Sequence, residues 1–186
     1  MNDDEVLARF GISSRLAYGL LFQSILVVCV AIISIFGMFE LKPGFTISYM
    51  TNIVSFLVCI SLLVYSFFGF NAKKNQEVFF IAAVVLYIIL IFFGLFATTI
   101  DFKNPAGMLT VITLISMIFF LHDYRINYKV ANFAMLIVII STFIVLVFNV
   151  MNGMPWFIAL KYIVIPVTIG LTYFERVQRG KYDFKI

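Results

Sequence analysis

VFFIAAVVLYIILIFFGLF, residues 78–96, holds no charged side chain and is apolar on every side. As a helix rising 1.5 Å per residue it reaches about 28 Å, close to the roughly 30 Å hydrocarbon core of a bilayer. A membrane strand would alternate polar and apolar residues so that one face lines a lumen, and this stretch does not alternate. In lipid the backbone must satisfy its own polar groups, and a helix does so within one segment. The stretch reads as a transmembrane helix.

Working outward, windows of the same kind recur at about 16–39, 48–70, 105–121, 130–150 and 155–174, with the quoted one extended to about 78–99. Asn104 and Pro105 form a cap and first helical position for the fourth, and Gly153 and Pro155 open the sixth. The prediction is an all-α, polytopic integral membrane protein: residues 1–186 as one domain, six transmembrane helices in a bundle, joined by short loops. IFGMF, FFGF and FFGLF close the first three windows and read as aromatic belts.

Composition agrees. The chain is 63% hydrophobic and 12% charged, with a mean hydropathy of +1.11, against about 45–50% and about 25% in soluble domains. A soluble fold of this size leaves roughly 30% of its unfolded surface exposed, too much for such a chain to cover without lipid.

Orientation follows from the basic residues. Arg9, Arg15, Lys73, Lys74, Arg125, Lys129, Arg176, Arg179, Lys181 and Lys185 fall on one side, ten in all, against Lys42 and Lys103 on the other. By the positive-inside rule both termini are cytoplasmic and the protein is a multi-pass component of the cell membrane. The same bias accounts for the net charge of +4, so no nucleic-acid partner is expected. Asp3, Asp4 and Glu5 ahead of the basic residues argue against a cleaved signal peptide. Val6, Leu7 and Phe10 lie on one side of a short interfacial helix over Asp3 to Ile12. The tail ERVQRGKYDFKI reads as an anchor to anionic lipid, with a strand added to a partner as the alternative. The chain could also be the membrane part of a larger receptor.

All nine acids (Asp3, Asp4, Glu5, Glu40, Glu77, Asp101, Asp123, Glu175 and Asp183) lie outside the six windows, which weakens a proton relay or cation-coupled carrier. Lys161 is the one charge inside them, roughly 9 Å from the outer end of the sixth helix. Its stem could snorkel to the interface, or the cation could face the bundle and attract an anion. Pro166 deprives the Tyr162 carbonyl of its usual donor. Trp156, Lys161, Tyr162, Pro166 and Thr168 therefore make the sixth helix the least lipid-like and the place to look for a binding site.

His122 is the only histidine and sits in a loop, so a two-histidine haem site within the chain is excluded and a zinc site lacks ligands. Cys29 and Cys59 lie near the middle of adjacent helices, could meet at the midplane, and lack the C-x-x-C pattern of dithiol chemistry. Asn52, Asn132, Asn149, Gln23 and the scattered Ser and Thr residues read as interhelical hydrogen-bonders that could instead line a pore. No cofactor, metal or catalytic residue is predicted.

NPAGMLTVITLISMIFFL (104–121), with the short basic loop and long apolar helix that follow, resembles the multi-helix sensor regions of bacterial signalling receptors. The row of alanines at four-residue spacing found in vitamin-binding transporter subunits is missing from the first helix, as is the aspartate array of phosphatidyl-alcohol transferases. The expected function is that of a non-enzymatic accessory, assembly or sensory subunit acting in the lipid bilayer with a membrane protein partner or as a homo-oligomer. The alternative is a small transporter or channel for an ion or small solute.

Overall fold

Short connections between long apolar segments force each helix to fold back beside the one before it. The computed structural model describes residues 14–40, 47–68, 73–97, 105–154 and 156–183. Six helices lie among them: α1 (Ser14–Glu40), α2 (Ile47–Phe68), α3 (Lys73–Ala97), α4 (Pro105–Asp123), α5 (Tyr128–Met151) and α6 (Trp156–Asp183). Four stretches are long and apolar enough to cross a membrane: Phe22–Phe39, Val78–Leu95, Pro105–Asp123 and Tyr128–Met151. By length and composition this is a membrane protein. Among the described residues, Tyr49–Tyr65 in α2 and Tyr162–Phe174 in α6 are shorter apolar segments.

Several boundaries differ from those expected. Helix α3 begins at Lys73, ahead of its apolar window, and α6 runs on to Asp183 rather than stopping near 174. Lys, Gln, Glu and Arg are strong helix formers, so KKNQE and ERVQR extend the turns that the apolar stretches begin. Lys181 to Asp183 are helical, which removes the strand alternative for those residues. Pro105 does open α4, while its proposed cap Asn104 and the interfacial segment Asp3 to Ile12 lie outside the described residues.

Each helix packs on its neighbour in the chain, and α6 packs on α1, so the six close into a ring; α6 also leans inward against α2 and α3. The contacts fix the directions. The end of α1 meets the start of α2, where a Cβ added to Gly37 would stand 2.8 Å from Asn52 Nδ2. The end of α2 meets the start of α3 through Tyr65 and Phe80. The start of α1 meets the end of α6 through Gln23 and Thr172. The helices run up and down alternately. The start of α1 and the end of α6 therefore share one end of the bundle, the terminal end; the other is the far end.

Two connections are described. Asn127 caps α5, its side-chain oxygen accepting from the amides of Lys129 (3.2 Å) and Val130 (3.4 Å). After α5, Gly153 adopts φ +91°, a left-handed conformation that suits glycine, and the Met154 amide bonds the Asn149 carbonyl.

The core is apolar, built on residues such as Val58, Leu62, Phe80 and Phe120, but large apolar side chains also cover the outside and polar ones are buried within. Phe22, Phe36, Phe39, Phe119, Phe133, Phe143 and Phe174 face outward, while Gln23, Ser34, Asn52, Ser55, Thr113, Ser141, Thr168 and Thr172 are buried. Small residues such as Ala83, Ala131, Ala159 and Ser55 are fully buried and let the helices approach closely. Across α4 and α5 the Thr113 and Ser141 hydroxyls are 2.6 Å apart. The two cysteines part company: Cys59 is buried and Cys29 is exposed, so they do not form a shared core pair. Asn132 is likewise exposed rather than interhelical.

Candidate functional site

A cavity of about 330 Å³ lies between five helices. Its walls are Thr51 of α2, Tyr87, Leu90, Ile91 and Gly94 of α3, Thr110 and Thr113 of α4, Thr142, Val145 and Asn149 of α5, and Tyr162 of α6. Met154 in the α5–α6 connection completes them, so the cavity reaches the far end of the bundle. Every one of these positions belongs to the far-end half of its helix, as alternating helix direction requires. Among the described residues, none of α1 lines it.

Three of the threonine hydroxyls are engaged with their own helices. Thr110 donates to the Ala106 carbonyl (2.7 Å), Thr113 to Leu109 (2.8 Å) and Thr142 to Val138 (2.7 Å). They offer methyl groups and lone pairs to the cavity rather than protons. Tyr87 and Asn149 differ. Tyr87 is buried and Asn149 half-buried, both line the cavity, and neither side chain has a hydrogen-bond partner among the described residues. Among those residues the Tyr173 hydroxyl is the enclosed side-chain atom without a partner. The Tyr87 hydroxyl is not among such enclosed, unpartnered atoms, and its residue lines the cavity. Gly94 leaves open space: a Cβ built there meets nothing within 4 Å.

At the terminal end the bundle is filled with rings. Phe80 lies 6.2 Å from Tyr65, 6.3 Å from Phe120 and 5.9 Å from Tyr124. Phe120 meets Tyr173 edge to face at 5.0 Å and 81°. Edge-to-face and tilted pairs at these separations are mutually attractive. The result joins α2, α3, α4 and α6 in a continuous aromatic layer. The far-end cavity and the terminal-end layer thus occupy opposite halves of one bundle.

The five residues singled out on the sixth helix are dispersed. Tyr162 lines the cavity. Trp156 is 67% exposed at the start of α6, a common place for an interfacial aromatic. Pro166 is buried within an unbroken helix. Thr168 is fully buried and donates to the Val164 and Ile165 carbonyls, both at 2.8 Å. The side chain of Lys161 lies outside the described residues. Among the described residues no group of three or more His, Cys, Asp and Glu could hold a metal ion. His122 is an exposed residue beside Asp123, 3.3 Å from its carboxylate.

Tyr87, Thr110, Thr113 and Thr142 were not separable from other polar residues in apolar helices. Their one common sign in the sequence is position: each lies in the far-end half of its window, and only the up-and-down packing turns that into a shared wall. No protein-family model, no curated protein and no solved structure matches this chain.

Proposed function

We propose that the chain crosses the cell membrane six times with both termini in the cytoplasm and acts as a non-enzymatic sensory or accessory subunit. In this reading it takes a small molecule into the far-end cavity from the outer side and passes occupancy to a partner membrane protein. The observation that carries it is the cavity itself. A purely structural bundle gains nothing from about 330 Å³ of unfilled space flanked by two polar side chains, Tyr87 and Asn149, without partners among the described residues, because both voids and unsatisfied groups destabilise a packed interior. Cavities of about 300–1,000 Å³ with few polar groups on apolar walls are the usual form of a small-molecule site. Ten basic residues against two support assigning the far end to the outer side. The shorter apolar segments of α2 and α6 cross with their neighbours, because both are packed against helices that are long enough to span.

The test is purification from native membranes in mild detergent. A partner recovered in fixed proportion, and lost or altered on replacing Gly94 with Leu, fits a subunit that reports on its cavity. Repeated recovery of the chain alone, with Gly94→Leu indistinguishable from the parent in cells, counts against it.

A second reading, a small transporter, is favoured by one arrangement: the cavity reaches one end while an aromatic layer closes the other. Alternating access requires such a state. Solute flux into liposomes holding the purified chain alone would favour this reading over the first.

A further inference from the structure

We infer that the far-end cavity selects a neutral molecule of about a dozen heavy atoms, with an apolar body and one amide- or alcohol-like polar group held by Tyr87 and Asn149. This rests on reading the cavity as a ligand site. Size follows from volume: a cavity of about 150 Å³ holds a benzene ring, and this one is about 330 Å³. The polar group follows from what is left unpaired. Tyr87 is 2% exposed, and its hydroxyl and the Asn149 amide have no partner among the described residues. Each can both donate and accept. Thr110, Thr113 and Thr142 have given their protons to helix carbonyls, so they can only accept from a ligand. The walls therefore match a group that carries both a donor and an acceptor.

Neutrality follows from the absence of charged side chains among the described residues that line the cavity. An ion brought into such surroundings loses hydration that two neutral groups cannot replace. A hydrocarbon of the same shape would fit the apolar wall but leave Tyr87 and Asn149 unpaired. The site should reject both, for opposite reasons.

The experiment uses the full chain in nanodiscs and equilibrium dialysis, with empty nanodiscs correcting for lipid partition. Four probes share one shape: 4-butylbenzamide, butylbenzene, 4-butylbenzoate and 4-butylbenzylammonium. The amide should bind about tenfold more tightly than butylbenzene, as one or two neutral hydrogen bonds provide, and at least about tenfold more tightly than either ion. Tyr87→Phe and Asn149→Leu should each draw the amide toward the hydrocarbon while leaving butylbenzene binding unchanged, which also shows that the variants fold. Gly94→Leu should remove binding of all four by filling the space.

Equal binding of amide and butylbenzene, or an amide preference that survives both substitutions, overturns the inference and leaves the cavity as a site. Tighter binding of the benzoate than of the amide also overturns it, by showing a cation within reach. If no probe binds above the empty-disc baseline, the reading of the cavity as a ligand site falls as well.

Discussion

Gln23 and Thr172, 149 residues apart in the chain, are hydrogen-bonded to one another, the Gln23 amide nitrogen donating to the Thr172 hydroxyl. Both side chains are buried. Thr172 in turn donates to the Thr168 carbonyl at 2.7 Å, so the pair links α1 to the backbone of α6 and closes the ring of helices. Hydrogen bonds between membrane helices are worth about 0.6 kcal/mol on average and up to about 1.7 kcal/mol. A double-mutant cycle with Gln23→Leu and Thr172→Val, followed by detergent-induced unfolding, should give a coupling energy in that range. Strictly additive losses would show that the contact contributes nothing.

Gly37 permits the approach of α1 to α2. A methyl group placed there would stand 2.8 Å from Asn52 Nδ2, too close without displacement. Overpacking of this kind costs about 1–3 kcal/mol, against up to about 1 kcal/mol gained from replacing a helical glycine. Gly37→Ala should therefore destabilise the fold, and in an Asn52→Ala background the same change should be neutral or stabilising. A loss of equal size in both backgrounds would exclude the side chain of Asn52 as the obstacle.

Tyr173 holds a buried hydroxyl with no hydrogen-bond partner among the described residues, while its ring meets Phe120 edge to face. Phenylalanine keeps the ring contact and removes the unsatisfied group, whose burial costs about 1–3 kcal/mol. Tyr173→Phe should raise stability by about 1 kcal/mol in the same unfolding assay. A drop would mean that the hydroxyl has a partner in the membrane-embedded protein.

Six crossings and four make opposite predictions for the start of α3. With six, a cysteine at position 73 is cytoplasmic and one at position 103 is external. With α2 and α6 outside the count, both reverse. In a background with Cys29 and Cys59 replaced, a membrane-impermeant maleimide should label Lys103→Cys in intact cells and Lys73→Cys only after permeabilisation. Labelling of position 73 in intact cells would sink the six-span topology.

Part of the site was legible beforehand. Tyr162 stood out because Pro166 leaves its carbonyl without the usual donor in the least lipid-like helix, and Asn149 as an amide read as an interhelical hydrogen-bonder that could instead line a pore. Pro166 and Thr168 were singled out in the same helix, yet both are buried and the Thr168 hydroxyl is engaged with its own helix. Residue type alone does not distinguish a threonine bonded to its own backbone from one on a cavity wall. The glycines in IFGMF and FFGLF also looked alike, but Gly37 makes a close helix approach and Gly94 borders empty space.

Sequence by itself determined the helices and the asymmetry of charge between the two ends. Both depend on how each residue exchanges with lipid or water, a property that adds up along the chain. Which way each helix faces, and hence the cavity, was decided only by tertiary structure. Lipid and protein interior are similarly apolar, so a helix that is apolar all round has no preferred face until a neighbour supplies one. The neighbours supply it through contacts such as Gly37 against Asn52, Thr113 with Ser141 and Gln23 with Thr172, each a relation between two helices that no single helix contains.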